Sequence, residues 1–104
     1  MLFRSTHLTH AAYFREHGAD AFMTAKGYPP IELPEPEQVI GGRGDVVLAH
    51  ALLGHNIGGN FASDVVRRAA YLRIRCAGHA QRWRECLQDA WLEFPAVREA
   101  LGRN

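Results

Sequence analysis

Gly42-Arg-Gly-Asp-Val-Val-Leu-Ala-His-Ala-Leu-Leu-Gly-His-Asn-Ile-Gly-Gly-Asn60 and, a few residues on, Val65-Val-Arg-Arg-Ala-Ala-Tyr-Leu-Arg-Ile-Arg-Cys76 occupy the middle of this 104-residue chain. Runs of β-branched residues punctuated by glycine read as strand, turn and strand. Gln38 to Ile40 is expected to be a short strand, Gly41 to Gly44 a tight turn, and Asp45 to His50 a second strand. Gly54 to Asn60 is a turn-rich loop carrying His55. Val65 to Cys76 is the longest strand expected, with no breaker inside it. Its Arg67, Arg68, Arg73 and Arg75 fall on both faces of an extended chain, so at least one arginine points somewhere other than solvent.

Outward from this β-rich middle, the pattern changes. Thr9 to Lys26 reads as helix, with Ala11, Ala12, Phe14, Ala21 and Phe22 spaced for one apolar face. Thr6 or Thr9 serves as its N-cap, and Gly18 and Gly27 are stop signals. Residues 28–37 hold four prolines and form an extended, surface-following connection. Beyond the long strand, Gly78 to Leu87 suits a short helix with Trp83 and Leu87 inward. Pro95 opens a last helix, Ala96 to Leu101. The expected fold class is α+β in a single domain, residues 1–104, with an N-terminal helix and short C-terminal helices.

Composition narrows the function classes. Twelve basic residues against eleven acidic ones leave a net charge of +1, so no global field attracts nucleic acid or an anionic membrane. No basic helix or aromatic platform suggests a nucleic-acid surface, and no apolar run is long enough for a membrane span. Apolar residues at 47% and charged residues at 22% are a globular balance rather than a disordered one. Residues 1–4 open no signal-peptide pattern, and two cysteines make no disulfide framework. A reducing cytoplasm is the expected location, with Cys76 and Cys86 as free thiols.

The six histidines are the residues to inspect for chemistry. His50 and His55 are five apart and share an ion only if the chain bends at Gly54; otherwise one is a packed, hydrogen-bonded histidine and the other a loop histidine. His7 and His10, at i and i+3, either share a metal or form a solvated helix end. Gly18 works against a helical pairing of His17 with Asp20. Arg67 opens a strand after the His55 loop, where its planar guanidinium is suited to clamp a carboxylate in two-point fashion. A solvated strand face is the other reading of that arginine. Arg43-Gly44-Asp45 is read as turn chemistry. Trp83 and Trp91 are expected to anchor the C-terminal helices to a sheet.

The run from Gly42 to Asn60, then Ser63-Asp64 and Arg67-Arg68-Ala69-Ala70-Tyr71, resembles the C-terminal half of the phytanoyl-CoA dioxygenase family. The shared features are a GDxxxxH strand, a second histidine before a small-residue loop with Asn, and an Arg opening the next strand. Phe3-Arg-Ser-Thr-His7 is similar to the segment before the helix in that family, with Ser5 where glycine is expected. The tail segments from Arg82 to Leu87 and from Trp91 to Arg98 are similar to the ends of some bacterial members.

The resemblance implies a non-haem oxygenase that uses Fe(II) and 2-oxoglutarate to hydroxylate a small organic molecule. Its fold would be a double-stranded β-helix of the jelly-roll or cupin type, here only in part. By match, His55 is the distal iron ligand and Arg67 clamps the far carboxylate of 2-oxoglutarate, with Arg68 as the alternative. Asn60 accompanies Arg67 at the cosubstrate, and His50 is a supporting position.

The family holds iron with a His-x-Asp pair and a distal His, leaving positions open for cosubstrate and oxygen. No His-x-Asp or His-x-Glu occurs in this sequence. The resemblance therefore implies a truncated form whose other ligands precede Met1, and no catalytic residue is assigned within the chain. The alternatives are an inactive remnant serving as an oligomerising or binding module, and a dimer that borrows ligands such as His7 or His10. An exposed half-barrel presents strand edges that favour self-association.

Overall fold

Thr6 to His17 form the first helix, α1. The computed structural model of the chain describes residues 1–24, 27–59, 61 and 64–102. Along α1 the buried positions are Thr6, His10, Ala11 and Phe14, a spacing that gathers them on one side of a 3.6-residue turn. Gly18, at φ 88°, ends the helix, and its amide donates to the Phe14 carbonyl at 2.9 Å. Neither threonine is the N-cap. Ser5 holds that place at φ 61° and ψ 2°, and Thr6 is already helical. A short second helix, α2 (Ala21–Thr24), follows the break at Gly18. The expected single helix is thus two, and its end at Lys26 lies outside the described residues.

Helix α3 (His79–Gln88) follows Gly78, and α4 (Pro95–Ala100) opens on a proline whose missing amide costs nothing in a first turn. Helix α1 packs on α3. Phe14, 1% exposed, is the largest side chain fully enclosed there, with Ala11, Ala19 and Ala90 around the same core. Polar links fasten its margins. Arg15 Nη1 donates to the Gln88 carbonyl at 2.7 Å, Gln88 Nε2 donates to the Phe14 carbonyl at 3.2 Å, and Arg84 meets Asp20 at 3.4 Å.

The N-terminal residues form the middle of a three-segment backbone cluster. Leu2 and Glu37 exchange amide-to-carbonyl hydrogen bonds at 2.8 Å each. On the other side of Leu2 lies His55, in an antiparallel bridge. That side is held by Phe3 N to Gly54 O and by Asn56 N to Met1 O, both 2.9 Å. Arg4 completes the tie to the proline-rich segment with a forked pair on Glu37, at 2.7 and 2.8 Å.

The double-stranded β-helix is overturned. Among the described residues there is no β-strand, only the isolated bridges of Leu2 with Glu37 and His55. Among the described residues the expected strands at Gln38–Ile40, Asp45–His50 and Val65–Cys76 do not form strands, so the α+β class becomes helices joined by irregular chain. The physical reason is that β propensity is a preference for a pleated, half-buried surface and takes effect only where a neighbouring strand supplies it. Here Val46, Leu48, Tyr71, Leu72 and Ile74 are 81–90% exposed. The total accessible surface of 8803 Å² compares with roughly 5,800 Å² for a compact protein of this mass. The turn forms one residue later than expected, at Gly42–Asp45: the Asp45 amide donates to the Gly42 carbonyl at 3.2 Å, Gly44 has φ 87°, and the Gly42 amide donates to Asp45 Oδ2 at 2.7 Å.

Candidate functional site

The loop from Ala51 to Asn56 forms one wall of an open, mainly apolar cleft of about 380 Å³, with Phe3, His10, Tyr28 and Leu33 opposite. Gly54 allows this loop to lie directly on α1. A Cβ built at Gly54 would stand 2.9 Å from Thr6 Oγ1 and 3.5 Å from both His10 Cε1 and Phe3 Cβ. Its amide donates to Thr6 Oγ1 at 2.7 Å, and that hydroxyl in turn donates to the Phe3 carbonyl at 2.7 Å.

Three histidines around this loop have distinct jobs, legible from their partners. His50 Nε2 donates to the Ala90 carbonyl at 2.6 Å, while its Nδ1 accepts the Leu52 amide at 3.0 Å. Both nitrogens are used, so His50 is the packed histidine and α1, this loop and the Ala90 turn meet through it. His10 Nδ1 faces the Thr6 carbonyl at 2.7 Å and must donate to it; Nε2 is bonded to the Tyr28 hydroxyl. His55 is exposed, with Nδ1–H donating to the Leu53 carbonyl at 3.0 Å. That bond fixes the tautomer in which Nε2 carries the lone pair, the form in which a histidine ligates a metal.

His7 packs within an aromatic group. Its ring centroid is 5.1 Å from Trp91 and 5.3 Å from His50, and Trp91 and His50 also meet edge to face. Burial, reinforced by neighbouring His50, pushes the His7 pKa below its ordinary 6.5. Neither His7 nor His10 belongs to a solvated helix end. Trp91 anchors its turn to α1 through these rings rather than to a sheet. His17 stacks on Tyr13, and Asp20 binds Arg84, so the two residues beside Gly18 go separate ways.

The predicted iron and cosubstrate residues do not converge. Arg67 and Arg68 are exposed on the extended segment, and among the described residues no hydrogen bond or ion pair joins either to the His55 loop. Asn60 and Ser63 lie outside the described residues. Among those described, the three metal-binding side chains drawn together are His79, Cys86 and Glu93, not a set containing His55. The residues at His55 therefore do not by themselves fit an iron ion, which needs two further protein ligands.

No sequence motif marks the C-terminal group. His79 and Cys86 are seven apart, on one face of α3, and Glu93 lies in the turn after it. His79 Nδ1 donates to Glu93 Oε2 at 2.8 Å, Arg82 reaches Oε1 at 3.4 Å, and the Cys86 sulfur lies within 4.8 Å of this pair. The i, i+7 pair was the available signal; the second turn partner could not be read without the fold. The His79 hydrogen bond, foremost, holds the Glu93 carboxyl below the usual carboxylate range. Burial, then the adjacent Glu93, raises the Cys86 thiol.

No protein-family model matches the sequence, and neither a curated protein nor a solved structure matches it. No helix among the described residues is long and apolar enough to cross a membrane.

Proposed function

We propose that this chain is the distal-histidine and cosubstrate-binding portion of a phytanoyl-CoA dioxygenase-type oxygenase, dependent on Fe(II) and 2-oxoglutarate. The observation that carries this reading is the state of His55. Its Nδ1–H is committed to the Leu53 carbonyl at 3.0 Å, which directs the lone pair to Nε2 as metal ligation requires. The backbone at Ser5 adds support. It is the single non-glycine residue with positive φ among the described residues, at the position where the resemblance expects glycine.

Within this reading, Arg67 or Arg68 holds the far carboxylate of 2-oxoglutarate and Asn60 assists. The other two iron ligands that this reading requires are not among the residues gathered at the His55 loop. The overall reaction converts a C–H bond, O₂ and 2-oxoglutarate to an alcohol, succinate and CO₂. With one iron ligand at this place, no catalytic step is assigned to the chain alone. Substrate is a small organic molecule, and the cytoplasm is the proposed location.

The test is the intact mass of the endogenous protein, followed by assay of that species for iron-dependent succinate formation. A mass above 11.6 kDa with a His-x-Asp or His-x-Glu pair in the added sequence is expected. His55→Ala should then abolish turnover, and Arg67→Ala should raise the KM for 2-oxoglutarate. A mass of 11.6 kDa with no succinate formed would overturn the proposal. The second reading, a non-catalytic oligomerising module, is favoured by the apolar exposure between residues 40 and 76.

A further inference from the structure

We propose that His79, Cys86 and Glu93 form a site for a divalent cation of the zinc type, which fastens the turn after α3 to the helix. The site is independent of the His55 loop. A ring nitrogen, a sulfur and a carboxylate oxygen lie within 4.8 Å of one another, and all three residues are half-buried. Tetrahedral zinc, with bonds of about 2.0–2.3 Å, sets its ligand atoms roughly 3.3–3.8 Å apart. Small side-chain rotations therefore reach that geometry, with His79 and Glu93 opening from 2.8 Å and the thiol closing in.

The charge balance fits. A neutral imidazole, a thiolate and a carboxylate offset a divalent cation, while Arg82 stays on the other carboxylate oxygen at 3.4 Å and orients it. In the metal-free arrangement Glu93 takes the hydrogen bond of His79, with the Cys86 thiol alongside. Metal binding replaces that bond with coordinate bonds from all three side chains. The thiol proton leaves to solvent, and the imidazole proton moves to the nitrogen that does not bind metal. Binding therefore releases about one proton per metal and tightens as pH rises. Such a clip suits a chain whose enclosed core is this small.

The experiment titrates the full chain with Zn²⁺ against a chromophoric chelator, and with Co²⁺ while recording the near-ultraviolet spectrum. One metal per chain, a thiolate-to-cobalt charge-transfer band and release of about one proton are expected. Cys86→Ser and His79→Ala should each weaken zinc binding at least about tenfold. Cys76→Ser should keep the charge-transfer band. The proposal is overturned if the unaltered chain shows no band at micromolar metal, if Cys76→Ser removes it, or if folded Cys86→Ser and His79→Ala bind zinc as tightly as before. The Cys76→Ser spectrum decides the matter even where the Cys86 or His79 variant does not fold.

Discussion

The Gly54 amide donates to the Thr6 hydroxyl at 2.7 Å, joining the His55 loop to the first turn of α1 across 48 residues of sequence. Thr6 is 1% exposed, and its hydroxyl is used twice, as acceptor from Gly54 and as donor to Phe3. Thr6→Val keeps the shape and removes both bonds, leaving a poorly solvated amide and carbonyl. It should cost about 1–3 kcal/mol in urea unfolding. Exposed Thr9→Val should stay within about 0.5 kcal/mol of the parent. Equal effects at the two positions would show that the hydroxyl bridge does not stabilise the fold. Gly54→Ala should be destabilising as well, because its methyl group would press on Thr6 Oγ1 at 2.9 Å.

Ser5 stands at φ 61°, where a side chain is strained and glycine is not. Ser5→Gly should therefore stabilise the protein, by up to about 1 kcal/mol, since left-handed backbone costs an ordinary residue about 1–2 kcal/mol and glycine loses more entropy on ordering. Ser5 makes no side-chain capping bond that the change would forfeit. A lowered melting temperature for Ser5→Gly would contradict the account.

These two sites show what the sequence could and could not disclose. The helices were legible because their signals are local: Gly18 and Gly78 at boundaries, Pro95 in a first turn, and apolar spacing around Phe14. A glycine turn before Asp45 is legible for the same reason, though the expected Gly41–Gly44 bounds are one residue early. The strands were misread because Val65 to Cys76 has strand composition, while pairing depends on a neighbour that composition does not reveal. The sequence leaves His7 and His10 open between a shared metal and a solvated helix end, because nothing local shows that Trp91 and Tyr28 come to lie against them. The His79, Cys86 and Glu93 group needs both the helix phase and the turn beyond it.

Acid should weaken the protein in two stages. His7 in the folded chain has a pKa below its ordinary 6.5, through burial and then His50, so the unfolded chain takes up a proton first. The stability this contributes is complete above about pH 6.5 and is lost as pH falls through that value towards the folded pKa. Glu93 acts lower. Its carboxyl is held below the ordinary 4.5, chiefly by His79, so its contribution is present above 4.5 and lost as pH falls through the folded value. Stability measured against pH should lose the upper stage in His7→Phe and the lower stage in Glu93→Gln. An unchanged upper slope in His7→Phe would remove His7 from the explanation.

Leu72 and Ile74 lie two apart in a segment without regular secondary structure, 87% and 84% exposed. Residues at this spacing share a side of an extended chain, and Tyr71, Val46 and Leu48 add further uncovered apolar surface. Unpaired backbone together with apolar side chains favours strand addition between molecules. In the absence of a covering polypeptide, the isolated chain should associate with itself, and its sedimentation coefficient should rise with concentration. Leu72→Lys combined with Ile74→Lys places charge there and should return the chain to monomer without loss of helix content, because both side chains are exposed. Added salt should strengthen association of the parent, as apolar burial predicts, whereas an electrostatic interface would weaken. A chain that stays monomeric at every concentration would sink the idea that these segments seek a partner. Association that persists in the double variant would move the interface elsewhere on the molecule.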